Sequence, residues 1–312
     1  MTHAWAHHAG SAMGSDVEIL AWGEAPDEAV RWATDEAARL EACWSRFRPT
    51  SELSALNRSA GSGSFACSPT LWDAIDRAAR GWARTGGLYD PTVLGALTAL
   101  GYDRSFVDVE ATSDRPLRPA RVPGFDCVVL APDAHTVALP AGVSLDLGGI
   151  GKGLAADLLV AGLRARGITS GEVSLGGDLR VFGPGPDEDD AWLIDVEHPG
   201  DDALLFRFPL VDEALVQSTR LLRRWQRAGR PLHHLIDPRT GWPADTGLDA
   251  VVATAPEAWF AEVVAKAVFV AGERDGLALA GRLGVDVWLV RADRTVVASP
   301  DVADSLRTIP GR

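Results

Sequence analysis

The sequence predicts an α+β fold with a mainly antiparallel sheet and flanking helices. Hairpin patterns, each a pair of short apolar strands around a turn, occur at 127–140 and 285–299. They alternate with amphipathic segments of helical spacing, and the chain has no internal repeat and no low-complexity segment. A chain of 312 residues is long for one domain but can form one elaborated core, so we expect a single domain over 1–312.

The N-terminal elements follow from periodicity and from capping residues. A first strand is predicted at 16–21, and an amphipathic helix at 26–43 begins with a proline, which the first turn tolerates. A second helix begins after the N-cap Ser68 and extends to about Arg84. The Thr-Gly-Gly sequence at 85–87 is a C-cap signal that ends it. The segment between the two helices lacks periodicity and predicts a loop with one short helical turn.

The C-terminal part alternates strands with two helices. A strand, a glycine-rich turn and a helix are predicted across 143–167, followed by one strand over 172–183. A strand at 249–253 leads into a helix at 256–270. Polar, proline-containing residues predict a long loop at 103–124. Additional strands are predicted at 192–197, 204–208, 214–217 and 232–236.

The composition excludes some classes of function. A net charge of −13 argues against a duplex nucleic-acid binder, but a local turn could still bind a small anion. No apolar run reaches about 18 residues, so we expect no membrane span. The N-terminus has no signal-peptide pattern, and the three widely spaced cysteines predict reduced thiols rather than disulfides. We therefore expect a cytoplasmic protein.

Lysine and asparagine are almost absent from the chain. Only two of the 30 basic residues are lysines, Lys152 and Lys266, and Asn57 is the single asparagine. Arginine cannot replace lysine as a compact point charge. These three positions are therefore candidates for a chemical role, with chance as the alternative.

The first candidate site is the segment DLGGIGKG at 146–153, at a predicted strand-to-helix junction. Backbone N–H groups in such a turn, together with the N-terminus of the helix that follows, favour an anion. The spacing matches neither a Walker A loop nor GxGxxG. On the residues alone, a phosphate site and a purely structural turn remain equal alternatives.

The second candidate is the segment HHLIDPRTG at 233–241. Adjacent residues of a strand point to opposite faces, so at most one of His233 and His234 enters a given site. Asp237 and Thr240 flank a proline turn and could orient such a histidine or bind a ligand. A histidine with a purely structural role is the alternative. The sequence contains no zinc-hydrolase or serine-hydrolase motif.

The third candidate is the pair Glu262 and Lys266, four residues apart on a predicted helix and therefore on one face. An ordinary surface ion pair is one interpretation. The residues around the pair are apolar, which favours a buried pair that faces a site. The residues alone thus predict a soluble α+β enzyme that could bind a phosphate-containing ligand.

Several motifs together resemble those of the ApbE family of FAD:protein FMN transferases. They follow the family's order from about residue 13 to residue 290, and this agreement is more specific than any one motif. The segments are MGS at 13–15, PTSELSALN at 49–57, TGGLYDPT at 85–92, DLGGIGKG at 146–153, SLGGDLRVFG at 174–183 and HHLIDPRTG at 233–241. One stretch departs, because residues 216–219 are VQST where the family more often has Thr-Ser-Gly.

The resemblance implies a T-fold-like domain of the ApbE type, with FAD as substrate. In the implied reaction a Ser or Thr hydroxyl of a client flavoprotein attacks the FMN-side phosphorus of FAD, and AMP leaves. FMN then stays on the client as a phosphoester. Such a transfer needs an anion cradle, charge neutralisation and a base. An FAD pyrophosphatase that uses water, and a non-catalytic FAD-binding protein, remain the alternatives.

The resemblance also implies roles for individual residues. His234 is the implied general base, and Lys152 is the implied cation at the phosphate. The backbone that would bind the phosphate belongs to Gly148, Gly149 and Gly151. The side chains implied to line or shape the flavin cleft are Asn57, Asp90, Thr92, Asp178, Asp237 and Thr240.

A magnesium site is implied as well, but one of its ligands is altered. The family's site takes the backbone carbonyl of Gly151 and two side chains on the late helix, here Glu262 and Lys266. A protonated lysine has no lone pair for a metal. Lys266 could replace Mg²⁺ as a fixed positive charge, could be neutral through burial, or Mg²⁺ could bind through the pyrophosphate. We favour the first alternative, in which Lys266 joins Lys152 in catalysis, and still expect Mg²⁺ to assist FAD.

Overall fold

An eight-stranded sheet lies at the centre of the computed structural model, which describes residues 4–186 and 190–303. The strands are β1 (Ala4–Ala12), β2 (Ser15–Gly23), β3 (Ser64–Ala66), β4 (Thr112–Ser113), β5 (Val129–Ala131), β6 (Thr136–Ala138), β7 (Ile168–Leu175), β8 (Asp178–Phe182), β9 (Trp192–Glu197), β10 (Leu204–Leu210), β11 (Ala214–Thr219), β12 (Arg224–Arg227), β13 (Arg230–His233), β14 (Ile236–Asp237), β15 (Trp242–Pro243), β16 (Leu248–Ala255), β17 (Asp286–Arg291) and β18 (Val296–Ala298). The helices are α1 (Pro26–Trp44), α2 (Glu52–Arg58), α3 (Pro69–Arg84), α4 (Leu94–Ala99), α5 (Gly151–Arg164), α6 (Ala258–Ala271), α7 (Glu273–Leu283) and α8 (Pro300–Ala303).

The order of strands in the central sheet is β1-β2-β7-β8-β11-β16-β17-β18. Every neighbouring pair in it is antiparallel. The predicted α+β fold with a mainly antiparallel sheet is therefore confirmed. Strand β16 is buried along its whole length, because both faces of the sheet are covered. Its Val251 and Ala253 pack on one face, whereas Val252 between them packs on the other.

Helices α1, α3, α5 and α6 contribute to the larger of the two cores on this sheet. Helix α6 is buried on almost every side, which places Glu262 inside the protein. Its N-terminus is fixed by Asp157 of α5, whose carboxylate accepts the N–H groups of Ala258 and Trp259 at 2.9 Å each. No helix in the described ranges combines the length and the apolar character that a bilayer crossing requires.

The opposite face of the sheet is covered by the β9–β10 hairpin. Phe206 and Phe208 of β10 contact the ring of Trp288 on β17, with centroid distances of 5.2 and 4.7 Å. A third apolar cluster joins α4 to the β12–β13 hairpin, where the indole of Trp225 donates to the carbonyl of Leu100 at 2.9 Å. This cluster supports residues that line the cavity described below.

Several predicted elements are confirmed. Helix α1 and helix α3 match their predicted ranges, and the N-cap Ser68 accepts the N–H of Leu71 at 3.2 Å. The two predicted hairpins are β5–β6 and β17–β18. The short helical turn expected between the first two helices is α2.

Other predictions were wrong in detail. The single strand predicted over 172–183 is the hairpin of β7 and β8, because Gly176 and Gly177 adopt φ values of 61° and 84° that form a tight turn. No strand is formed at 143–147. The side chain of Asn57 hydrogen-bonds to both the N–H and the carbonyl of Leu145, which a neighbouring strand would otherwise use. The strand predicted at 232–236 is interrupted between β13 and β14. The structure adds β1, β12 and α7, which were not predicted.

Candidate active site

A cavity of about 520 Å³ opens beside the glycine turn that precedes α5. This volume lies in the range of small-molecule sites. Part of the wall is aromatic, where the ring of Tyr102 contacts those of Phe47 and Phe106. The charged and histidine side chains on the wall are Glu41, Arg46, Arg48, Asp90, Asp146, Lys152, Arg223, His234 and Lys266.

The glycine turn is held tightly against the cavity wall. Asp146 accepts the N–H of Gly148 at 2.7 Å. A Cβ on Gly149 would lie 2.9 Å from the ring of Tyr89 and 3.2 Å from the Cδ of Lys266. Only glycine therefore fits here, which explains part of the motif by packing alone. Gly148, Gly149 and Gly151 nonetheless all line the cavity, at the N-terminus of α5, where an anion is favoured.

Both lysines of the chain lie on this cavity, and each is paired with a buried carboxylate. The ammonium group of Lys152 contacts Asp178, whose side chain is 1% exposed. That of Lys266 donates to Glu262 at 2.9 Å, and the side chain of Glu262 is fully buried. The second oxygen of Glu262 accepts the backbone N–H of Gly153 at 2.9 Å. The structure thus brings two of the three candidate sites, the glycine turn and the Glu262–Lys266 pair, into direct contact.

Burial and the two ammonium groups act in opposite directions on the paired carboxylates. Burial raises the pKa of Asp178, and the charge of Lys152 opposes that rise only in part. For Glu262 burial also acts to raise the pKa, but Lys266, Lys152 and the N–H of Gly153 outweigh it, so the pKa is lowered. Glu262 is therefore an anion at neutral pH, and Lys266 is its counter-ion.

The two adjacent histidines have different surroundings, as predicted, although His234 lies beyond the end of β13 rather than within a strand. The ring of His233 bonds to the carbonyl of Ala244 at 3.1 Å, and burial lowers its pKa to about 4. His234 lines the cavity, and its buried Nδ1 has no hydrogen-bond partner in the described part of the chain. Burial, together with the charges of Arg223 and Lys266, lowers the pKa of His234 well below its usual value. Its imidazole is therefore neutral at neutral pH and can accept a proton.

Four other residues from the sequence analysis support the cavity from behind it or at its edge. Asp90 lines the cavity, and its carboxylate accepts both the N–H and the hydroxyl of Thr92, at 2.8 and 2.6 Å. Thr92 is fully buried behind it. Asn57 is bonded to the backbone of Leu145 and lies off the cavity wall. Asp178 does not line the cavity, but it contacts Lys152, which does.

Asp237 and Thr240 also lie off the wall, in the turn that follows His234. The carboxylate of Asp237 pairs with Arg239 at 2.9 Å, and its carbonyl accepts the N–H groups of Thr240 and Gly241. Asp237 and Thr240 therefore close the turn that positions His234. Neither side chain lines the cavity, so neither is placed to contact a ligand there.

Among the wall residues that sequence reasoning did not identify are Arg46, Tyr89 and Arg223. Arg46 pairs with Asp146 at 3.1 Å, and its guanidinium lies over the rings of Phe47 and Tyr102. Arginines are so frequent in this chain that no local signal marks Arg46 or Arg223. Tyr89 was within a quoted motif, but its contact with Gly149 depends on the fold.

The residues present do not fit a divalent cation at Glu262. One oxygen of that carboxylate faces the ammonium group of Lys266, and the other accepts the N–H of Gly153. Within the described ranges, no group of three or more His, Cys, Asp or Glu side chains could hold a metal ion. The positive charge next to Glu262 is therefore supplied by the chain itself.

The fold and the site together define an α+β protein that brings a glycine turn, two paired lysines and a neutral histidine to one cavity, an arrangement that favours an anionic ligand. The sequence profile of the ApbE family matches residues 13–289, and the chain belongs to this family. The resemblance inferred from the motifs is thereby confirmed.

Known proteins agree with this assignment. The FAD:protein FMN transferase of Treponema pallidum is 32% identical to the chain, over 96% of the chain and 88% of that protein. The crystal structure of the ApbE protein of Thermotoga maritima superposes with a TM-score of 0.88, at 24% identity, over 97% of the chain and 100% of that structure. The flavinyl transferase ApbE of Pseudomonas stutzeri has a TM-score of 0.82, at 21% identity, with 98% of each chain covered. The two structures show that the fold is shared.

Proposed function

We propose that this chain is an FAD:protein FMN transferase that moves FMN from FAD to a Ser or Thr hydroxyl of a client flavoprotein and releases AMP. The observation that carries the proposal is the convergence of the glycine turn, Lys152, Lys266 and His234 on one cavity. A family member with this arrangement has the groups that phosphoryl transfer needs: donors for the phosphates, fixed positive charge and a base.

The proposed step is balanced within the substrates and the chain. The client oxygen forms a bond to the FMN-side phosphorus, and the bond from that phosphorus to the bridging oxygen breaks, so that AMP leaves. The hydroxyl proton passes to the neutral imidazole of His234. Lys152 and the backbone at Gly148, Gly149 and Gly151 hold the phosphates.

We propose that Lys266 takes the place of a metal ion as the fixed charge beside Glu262. Any Mg²⁺ that assists FAD then binds to the oxygens of the pyrophosphate rather than to this carboxylate. Lys266→Ala separates the alternatives, because loss of a catalytic cation reduces turnover far more than FAD affinity. If both stay unchanged, Lys266 has no role in the site.

We place this activity in the cytoplasm. The three cysteines are free thiols, and Cys43 and Cys67 are partly buried with pKa values raised by burial to about 12 and about 11. Unreactive, unpaired thiols suit a reducing compartment.

The test is AMP release from FAD in the presence of a candidate client flavoprotein, with mass spectrometry of that client. A client that gains the mass of FMN as AMP appears supports the transferase, and activity that persists with a chelator supports Lys266 as the metal substitute. AMP and free FMN without a labelled client would indicate the pyrophosphatase. Bound FAD that stays intact with every client offered would indicate a binding protein.

A further inference from the structure

The cations on the cavity wall differ in how their charge is balanced. Four of the five are paired with carboxylates, and the pairs are Lys152–Asp178, Lys266–Glu262, Arg46–Asp146 and Arg48–Glu41. Arg223 is the exception: among the described residues it forms no ion pair. An anionic ligand in the cavity would therefore find its uncompensated positive charge at Arg223.

The position of Arg223 is fixed by the sheet next to the proposed base. Arg224 of β12 pairs with His233 of β13, so Arg223 and His234 are the next residues opposite each other. The carbonyl of Arg223 accepts the N–H of His234 at 3.3 Å. A shift of one residue would remove both side chains from the cavity together.

Most donors of the Arg223 guanidinium are free to bind a ligand. Its Nη2 donates to the hydroxyl of Ser15 in the β1–β2 turn at 3.3 Å, and no other side-chain bond ties it within the described structure. A guanidinium carries five N–H donors in a planar fork that matches two phosphate oxygens. The contact with Ser15 anchors one nitrogen and leaves the others for that fork.

We propose that Arg223 binds the pyrophosphate of FAD and stabilises the charge that develops on the phosphoryl oxygens during transfer. This inference rests on the proposed function and adds a residue to it. The paired lysines contribute local positive groups, but the charge of each is shared with its own carboxylate. Arg223 adds a guanidinium without a carboxylate partner among the described residues, and its charge is available to the substrate's phosphates.

The experiment compares Arg223→Met and Arg223→Lys with Arg224→Met, a neighbouring arginine that is exposed. Affinities for ADP, which carries a pyrophosphate, and for adenosine, which carries none, are measured by calorimetry on the folded proteins. Arg223→Met is expected to weaken ADP binding about 10- to 100-fold and to leave adenosine unchanged. Arg223→Lys keeps the charge without the fork and should give an intermediate ADP affinity. Arg224→Met should bind both ligands as the wild type does.

Turnover provides the second measurement. Arg223→Met should lose about 10²-fold or more in kcat, a larger factor than its loss of FAD affinity. The reason is that the charge on the phosphoryl oxygens is largest in the transition state. Unchanged ADP affinity in Arg223→Met, or an equal loss in Arg224→Met, would overturn the inference. Should Arg223→Met not fold, as judged by thermal unfolding, Arg223→Lys decides by the same ADP comparison.

Failure of this inference and failure of the proposed function can be told apart. A wild-type chain that labels a client, with ADP affinity unaffected by Arg223→Met, refutes only the role of Arg223. If the wild-type chain labels no client but Arg223→Met still weakens ADP binding, Arg223 remains a phosphate-binding residue and the transferase is refuted.

Discussion

Replacing Lys266 by alanine tests whether the buried pair with Glu262 stabilises the fold. Glu262 has no exposed surface, and its two oxygens are held by Lys266 and by the N–H of Gly153. The substitution leaves a buried carboxylate with a single hydrogen bond. Removing one partner of a buried ion pair typically costs about 3–5 kcal/mol. We expect a loss of that order at neutral pH, with Lys152 and Asp178 limiting it because they remain close.

The pH dependence of this loss follows from the pKa of Glu262. In the wild type the folded-state pKa of Glu262 is below 4.5. The pair therefore stabilises the fold at pH values above the unfolded-state pKa, and this stabilisation is lost as the pH falls through the folded-state pKa. Without Lys266 we expect burial to outweigh the remaining effects of Lys152 and the Gly153 N–H, which raises the folded-state pKa of Glu262 above its unfolded-state value. The folded variant then binds a proton that the unfolded chain releases, so its deficit grows as pH rises above about 4.5. The difference between the two proteins should be larger at pH 8 than at pH 5.

Urea unfolding at these two pH values measures the effect, with Glu262→Gln and the double variant completing a cycle. The double variant Glu262→Gln with Lys266→Ala should be more stable at pH 8 than Lys266→Ala alone, because position 262 then carries no charge that lacks its partner. A cost below about 1 kcal/mol for Lys266→Ala, equal at both pH values, would refute the buried-pair argument.

Further predictions concern the base and the packing of the glycine helix. His234→Asn should lower turnover by about 10²- to 10⁴-fold with FAD affinity nearly unchanged, which single-turnover kinetics and FAD titration would resolve. Because the pKa of His234 is lowered, the acid limb of the wild-type kcat/KM profile should fall below pH 6.5, and a limb at or above that value contradicts a buried neutral base. Gly153→Ala places a Cβ about 2.4 Å from the carbonyl oxygen of Ala258 and should destabilise the fold by about 1–3 kcal/mol in urea. Its control, Gly281→Ala in α7, meets nothing within 4 Å and should instead gain up to about 1 kcal/mol.

The elements that sequence reasoning predicted well are those with strong local signals. Helix α3 has an N-cap serine, a proline in its first turn and glycines at its end, and all three act locally. The N-terminal strand β1 lacks such a signal, because AWAHHAGSA has no regular apolar alternation and lies at the edge of the sheet. Residues 143–147 have the composition of a strand, yet their backbone is bonded by a side chain from α2, a contact that no local pattern encodes.

The candidate site shows the same division. The glycine turn, the two histidines and the Glu262–Lys266 pair each carried a spacing that indicated chemistry, but only the fold shows that they share one cavity. Arg223 could not be found, since the role proposed for it depends on its lack of a carboxylate partner among the residues that the structure describes, rather than on its neighbours in the chain. The scarcity of lysine gave a useful signal here, whereas the abundance of arginine left Arg223 unmarked.

The placement of the two lysines has a practical consequence for chemical labelling. Apart from the α-amino group, the chain has only two primary amines, and both lie on the cavity wall. Acylating reagents applied to the folded protein should therefore modify this cavity and almost nothing else, and a bound ligand should protect it. The same scarcity means that cross-linkers directed at lysine side chains should capture a client at the mouth of the cavity, whereas contacts at an outer docking surface would not be detected through these side chains.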